Sequence, residues 1–118
     1  MKITQQYLQA LAETKWAEYC EIFPALVKFD CPKIIINNRF TKTGGINRSA
    51  ENIVELAGKY FLNNTDSMLR ITLPHELAHQ IDYNLNGWYP RKKHHGAGWD
   101  EIMVLIGLNP DPYHYMVL

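Results

Sequence analysis

An α+β fold is predicted for this chain from three features of its sequence. An amphipathic helical pattern comes first, short segments rich in β-branched residues follow it, and a long helical pattern with an apolar residue at every fourth position comes next. We therefore expect an N-terminal helix, a small three-stranded sheet, a long central helix and a closing C-terminal helix. With 118 residues, the chain fits a single domain spanning residues 1–118.

The composition is that of an ordinary globular protein. Hydrophobic residues make up 47% and charged residues 20%, and 12 Lys+Arg balance 12 Asp+Glu. Nonspecific nucleic-acid binding by the whole surface needs clustered cations, so this balance argues against it. A local patch of positive charge that contacts nucleic acid is still compatible with it. No apolar run approaches the ~18 residues that span a membrane, and the N-terminal residues lack the apolar core of a secretory signal, so a cytoplasmic location is expected. Cys20 and Cys31 are then expected to be free thiols.

Residues 4–21 are predicted to form the first helix. Thr4 is expected to cap its N-terminus, and Pro24 ends the segment. Apolar side chains recur at helical spacing and should face the core: Leu8, Ala12, Trp16, Tyr19, Cys20 and Phe23.

The strands are predicted between the helices. Lys33–Asn37 is a run rich in β-branched side chains and should form the first strand. Residues 39–43 and 46–49 are strand-like flanks of a Gly-Gly pair that marks a turn or bulge. Residues 52–57 predict the last strand of the small sheet, with Ile53 and Glu55 facing opposite to Val54 and Leu56, although their polarity alternates poorly.

The central helix is predicted over residues 66–85. Its apolar seam repeats every four residues, at Leu69, Leu73, Leu77, Ile81 and Leu85. Pro74 lies within it, so the helix either kinks there or begins there with the proline in its first turn. Gly87 ends it, residues 88–95 form a polar, basic loop, and residues 98–106 are predicted to form the closing helix.

The central helix carries an HExxH motif, from His75 to His79. Residues i and i+4 lie on the same face of a helix, so both imidazoles can reach one Zn²⁺ at about 2.0–2.1 Å. Glu76 is offset by one residue, which suits a general base beside a metal-bound water better than a ligand. The alternative is a helix with two hydrogen-bonded histidines and no metal.

A catalytic zinc usually takes three protein ligands and a water, and the residues alone leave the third ligand open. Asp82 lies three residues after His79 on the same helix, so we expect it to support a ligand and not to bind metal. His95 is favoured because the glycine after it lets the loop pack closely against the helix. The downstream candidates are Asp82, His94, His95, Asp100, Glu101 and His114.

The segments LPHELAH (residues 73–79) and HGAGW (residues 95–99) together resemble the SprT-like zinc metalloproteases, the family that includes the Spartan repair protease. That family shows HExxH followed, after a variable loop, by HGxxW or HGxxF, whose histidine is the third ligand. The resemblance covers residues 5–115 and includes the tail at residues 112–115. It implies a zincin-like fold and one Zn²⁺ per chain, held by His75, His79 and His95.

The function implied by the resemblance is a zinc-dependent endopeptidase acting on protein or peptide substrates, DNA-associated proteins among them. Glu76 would take a proton from the attacking water. The sequence leaves open whether Tyr113, His114 or Tyr115 helps to stabilise the oxyanion. In zincin-like folds an edge strand above the metal helix commonly binds extended substrate, and residues 52–57 are our candidate for it.

One departure qualifies the resemblance. Many members carry a zinc ribbon, for which two cysteines do not suffice, so a minimal domain without a C-terminal zinc ribbon is expected and DNA-dependent activity does not carry over. A non-enzymatic zinc-containing module that binds DNA or a protein is the competing class. The basic loop residues Arg91, Lys92 and Lys93 are interpreted as solvated, with a weak local nucleic-acid contact as the alternative.

Aromatic residues surround the third-ligand candidate. Trp99 is expected to pack under the metal site. Trp88 and Tyr89 are expected either at the rim of the cleft or in structural positions.

Overall fold

A computed structural model describes residues 3–111 and residue 116 of the protein. It confirms the α+β prediction. Among the described residues, no helix is long and apolar enough to cross a membrane. The helices and strands are α1 Gln5–Ile22, β1 Lys33–Asn37, β2 Gly45–Arg48, β3 Ile53–Ala57, α2 Phe61–Ser67, α3 Leu73–Asn86 and α4 Ala97–Leu105.

Helix α1 begins and ends within one residue of its predicted bounds. The Thr4 hydroxyl accepts a hydrogen bond from the Tyr7 backbone N–H at 3.0 Å, so the predicted N-cap is present. The predicted stripe is buried at four of its six positions and half-buried at the other two. Trp16 also donates its indole N–H to the Phe29 carbonyl, which ties α1 to the segment that leads into the sheet.

The sheet has the strand order β1-β3-β2, with β1 parallel and β2 antiparallel to β3. The strand prediction for residues 39–43 is wrong. The Asn37 side chain accepts a hydrogen bond from the Arg39 backbone N–H at 2.9 Å, and this local contact makes the chain turn there. Strand β2 therefore begins only at Gly45.

The candidate for an edge strand is also corrected, because the predicted strand over residues 52–57 corresponds to β3, at the centre of the sheet. The outer edge of β1 is covered by α1, whose Gln9 and Gln5 side chains accept hydrogen bonds from the backbone N–H groups of Ile34 and Ile36 at 2.8 and 3.1 Å. Covering an edge in this way prevents further strand pairing. The edge strand beside the central helix is β2.

The central helical segment contains an irregular turn. The backbone is non-helical at Asn64 within α2, so the helix that continues into α3 begins close to the predicted residue 66. Its α-helical part α3 begins at Leu73 with Pro74 in the first turn, which is the second of the two predicted alternatives. A π-helical turn, Met68–Thr72, joins α2 to it without a break. Proline has no N–H for the carbonyl four residues earlier, so one α-helical hydrogen bond is already missing where this wider turn lies.

The core lies between the sheet and the helices α1, α3 and α4. The middle of the predicted seam on α3 is fully buried, whereas its two ends are half-buried. In β3, Val54 and Leu56 face the core, as the alternating pattern predicted. The apolar face of α3 is thereby fixed against the core, and this fixes the direction in which its polar residues point.

Candidate metal centre

Three histidine side chains converge beside helix α3. His75 and His79 lie one turn apart on α3, and His95 reaches them from the loop that precedes α4. The Nε2 atoms of His75 and His79 are 3.2 Å apart, those of His79 and His95 are 3.1 Å apart, and those of His95 and His75 are 3.2 Å apart. The structure thus brings together the three residues that the sequence predicts as metal ligands.

The spacing of these nitrogens fits a tetrahedral metal ion. Ligands at about 2.0–2.1 Å from a tetrahedral Zn²⁺ are separated from one another by about 3.3–3.4 Å, close to the observed distances of 3.1–3.2 Å. Hydrogen bonds alone satisfy such a triangle poorly. Each Nε2 either donates or accepts, so two of three mutual neighbours must have the same role and face each other unfavourably.

Burial keeps these histidines neutral at neutral pH. Desolvation, together with smaller contributions from the neighbouring imidazoles, lowers the pKa of His75 to about 4 and that of His79 to about 2. The pKa of His95 is also lowered, again mainly by burial. A neutral imidazole has a free lone pair, which is the form that binds a metal.

Glu76 lies beside the cluster, and its carboxylate oxygen Oε2 is 3.7 Å from Nε2 of His75. Burial raises the pKa of Glu76 to about 8, while a hydrogen bond from the Asn47 backbone opposes this rise. Strand β2 approaches closely here because Gly45 has no side chain: a Cβ atom at this position would lie 3.1 Å from Cγ of Glu76 and 3.1 Å from a β3 carbonyl oxygen. The Gly-Gly pair thus permits close contact between β2 and the metal helix.

Trp99 packs against all three histidine rings, as expected from the sequence. Its ring stacks on that of His79, with the centroids 5.1 Å apart, and meets the rings of His75 and His95 edge-on at 4.8 and 4.6 Å. Its indole N–H donates to the His75 carbonyl at 3.4 Å. A fully buried side chain therefore holds the orientation of the cluster from α4.

His94 takes a different position from its neighbour His95. Its ring stacks on the outer side of the His79 ring, with the centroids 3.9 Å apart, and it lies outside the cluster of mutually close nitrogens. The two adjacent side chains therefore diverge, and only His95 joins the cluster.

A cleft of about 320 Å³ opens onto the cluster. One wall is formed by β2 and the residues before it, and the other by the π-helical turn and α3. Apart from the histidines and Glu76, the lining residues are uncharged: Thr43, Gly44, Gly45, Ile46, Asn47, Ile71 and Thr72. The cleft has the shape of a channel between an edge strand and the metal helix.

A network of buried amides, which the sequence analysis missed, joins the two walls of the cleft. Gln80, fully buried on α3, accepts a hydrogen bond from the Asn47 side chain at 2.8 Å and donates to the Ser49 carbonyl and to Asn84 at 3.1 and 3.0 Å. Asn47 also donates to the carbonyl of Ile53 on β3. Only the position of Gln80 on the apolar face of the helix, three residues after Leu77, could have indicated this network.

The other predicted residues are placed as follows. Asp82 is buried, and its carboxylate pairs with Lys92 and Asn86, so it holds the loop and does not support a ligand ring directly.

Trp88 and Tyr89 are exposed and lie outside the lining of the cleft at the histidines. Tyr113, His114 and Tyr115, together with the tail at residues 112–115, lie outside the described residues. Asp100 and Glu101 lie on α4.

Fold and site together define an α+β protein in which one helix and the loop after it assemble three histidines that could hold a metal ion. Comparison with known protein families identifies the family within this class. The model of the SprT-like family matches residues 4–114, and the chain therefore belongs to the SprT-like family.

Curated relatives support this membership. The chain is 30% identical over 110 residues to Protein SprT of Pseudomonas paraeruginosa, which covers 92% of the chain and 64% of that protein. It is 33% identical over 87 residues to Protein SprT of Pseudomonas aeruginosa, covering 73% of the chain and 51% of that protein. It is 32% identical over 87 residues to Protein SprT of Pasteurella multocida, covering 73% of the chain and 50% of that protein. The chain thus spans about half to two thirds of the length of these relatives. No solved structure matches it.

Proposed function

We propose that this protein is a zinc-dependent endopeptidase that binds one Zn²⁺ per chain through His75, His79 and His95. The observation that carries the proposal is the triangle of three Nε2 atoms at 3.1–3.2 Å, open to a cleft with Glu76 at its side. Family membership supports it. The donor set also fits, because three neutral imidazoles with a free fourth position are typical of catalytic zinc.

The chemistry divides between the ion and the side chains. Bound zinc would supply Lewis acidity, which polarises a carbonyl group and acidifies water. A cation bound beside Glu76 would oppose the rise in its pKa that burial causes. Glu76 would then accept a proton from the attacking water and return it to the leaving amine. Its burial beside His75 keeps bulk water away, and the Asn47 backbone hydrogen bond orients the carboxylate.

We propose that the substrate is an extended, largely uncharged protein segment lying along β2. The Gly44 carbonyl accepts a hydrogen bond from the Ala57 N–H on β3. Because strand hydrogen bonds alternate in direction, the backbone groups of Gly45 and Asn47 point away from β3, toward the cleft. The Gly45 carbonyl accepts from the Thr43 hydroxyl at 3.0 Å and the Asn47 N–H donates to Glu76, so a substrate strand would pair with the Gly45 N–H and the Asn47 carbonyl. Ile71, which is 52% exposed, adds an apolar surface to the opposite wall. An added strand would gain main-chain hydrogen bonds there, with side chains alternating between the walls.

A comparison of three proteins tests this function. The wild type, Glu76→Gln and the control Glu21→Gln, an exposed position on α1, are incubated with an unfolded, fluorescently labelled protein after their zinc content has been measured. We expect one zinc per chain in all three and cleavage by the wild type and the control only, because the amide of the Glu76 variant cannot accept a proton.

Equal turnover by the Glu76 variant would remove this residue from the mechanism. Stoichiometric zinc with no cleavage by the wild type would favour the non-enzymatic zinc-containing module. Parallel reactions with single- and double-stranded DNA test the proposed local nucleic-acid contact. Arg91 and Lys93 are exposed in the loop, whereas Lys92 pairs with Asp82. We therefore propose that only Arg91 and Lys93 contact nucleic acid.

A further inference from the structure

We propose that Asp82 and Lys92 form a positioning pair that sets the place of His95 before any metal binds. This inference rests on the proposed metal site and concerns the one ligand that comes from a loop. It assigns Lys92, which looks in the sequence like one member of a solvated basic run, to the interior of the protein.

Asp82 is buried, Lys92 is half-buried, and both have further hydrogen-bond partners. Nζ of Lys92 lies 3.2 Å from Oδ2 of Asp82, and the two side chains are only 14% and 6% exposed. The ammonium group also donates to the Gly87 carbonyl at 2.6 Å, at the end of α3. The other carboxylate oxygen, Oδ1, accepts from Nδ2 of Asn86 at 2.7 Å. A buried ion pair whose remaining polar atoms also have partners has a defined geometry, which an exposed pair lacks.

Asp82 also contacts the chain on the far side of His95. A Cβ atom at Gly98, in the first turn of α4, would lie 2.7 Å from Oδ1 of Asp82 and 3.1 Å from Nδ2 of Asn86. The backbone of α4 therefore rests directly on this carboxylate. Lys92 precedes His95 by three residues and Gly98 follows it by three, so Asp82 fixes the chain on both sides of the ligand.

Apart from the stacking of His94 on His79, the loop between α3 and α4 has few other constraints on its path. It contains no regular secondary structure, and several of its side chains, including Trp88, Tyr89, Arg91 and Lys93, are exposed. A ligand on an unconstrained loop would have to be ordered when the metal binds, at a cost in conformational entropy. Contacts through Asp82 that are present before the metal binds reduce that cost. Removing a group that orients a ligand typically lowers metal affinity about 10- to 100-fold.

The test compares Lys92→Met with the matched control Lys93→Met, the exposed neighbouring lysine. Zinc affinity is measured by competition with a chromophoric chelator, and the site geometry by the visible absorption of the cobalt-substituted protein. We expect Lys92→Met to lower zinc affinity about tenfold or more and to weaken the tetrahedral cobalt bands. Lys93→Met should change neither quantity.

A second variant covers the risk that an unpaired buried carboxylate prevents folding. Asp82→Asn combined with Lys92→Met leaves no buried charge and keeps an oxygen for Asn86, so it should fold and still bind zinc weakly. If the pair only stabilised the fold, both variants would unfold at lower temperature without metal but keep the affinity and cobalt spectrum of the wild type, and that result would overturn the proposal. A wild type that binds no zinc would instead refute the metal site itself.

Discussion

The buried carboxylate of Glu76 should make the metal-free protein less stable at neutral pH than a variant without it. Glu76 is 6% exposed, and its burial raises the pKa from 4.5 to about 8. An acid whose pKa is higher in the folded than in the unfolded state binds more protons when folded. The contribution of Glu76 is therefore most favourable below pH 4.5 and is lost as the pH rises toward 8.

The size of the effect follows from the pKa difference. One pKa unit corresponds to about 1.4 kcal/mol. At pH 7, which is roughly 2.5 units above the pKa of Glu76 in the unfolded chain, burying Glu76 therefore lowers the free energy of unfolding by about 3 kcal/mol. Glu76→Gln removes this cost, although its NH₂ group lacks an assured acceptor, which offsets part of the gain. We expect the variant to be about 2–3 kcal/mol more stable than the wild type at pH 7 and nearly equal to it at pH 4.5.

Urea unfolding of chelator-treated protein between pH 4.5 and 8.5 measures this difference. The lowered pKa values of His75 and His79 make the stability of both proteins rise with pH below about 6.5, and this common change cancels in the difference. Glu21→Gln, at an exposed position, should show no pH-dependent difference from the wild type. A difference for Glu76→Gln that is independent of pH, or that favours the wild type at pH 7, would refute the reasoning.

Further predictions concern the ligands and the edge strand. Wild-type protein should contain one zinc per chain by elemental analysis, and His75→Ala or His79→Ala should lose it, because an incomplete set of ligands lowers affinity strongly; full zinc in both variants would contradict the site. His95→Ala should lower zinc affinity by orders of magnitude while His94→Ala keeps the metal, and the reverse would place the third ligand one residue earlier. Gln80→Met should keep zinc but cost about 2 kcal/mol or more in urea unfolding and slow cleavage; unchanged stability would show that the amide network is weak.

The parts of the structure that depend on local spacing could be predicted from the sequence. Helix α1, with its Thr4 cap, and strand β1 occur where the pattern placed them, because caps and periodicity act over a few residues. The convergence of His75 and His79 likewise follows from helical geometry alone. His95 could be singled out by its glycine neighbour and by a resemblance, yet its approach to the other two depends on Trp99 and on the loop, which no local pattern encodes.

Strand order could not be predicted in the same way. Residues 52–57 are the edge strand expected from the resemblance, but β3 lies at the centre because β2 pairs with one side and β1 with the other. The edge of β1 is closed by Gln5 and Gln9, residues that appear as ordinary polar positions of an amphipathic helix. Pairing between distant segments decides which strand remains open, and a single sequence carries no direct signal for it.

The helix pattern fails most clearly on α3, and the failure is informative. A helix is expected to bury apolar residues and expose polar ones, yet Glu76, His79, Gln80 and Asp82 are all buried. Buried polar groups are retained where each has a partner or a chemical task. Here Gln80 holds the strand wall of the cleft, Asp82 holds the loop that brings the third histidine, and Glu76 and His79 face the space between them. One helix thus holds the strand wall of the cleft and the loop that carries the third histidine in relation to its own reactive groups.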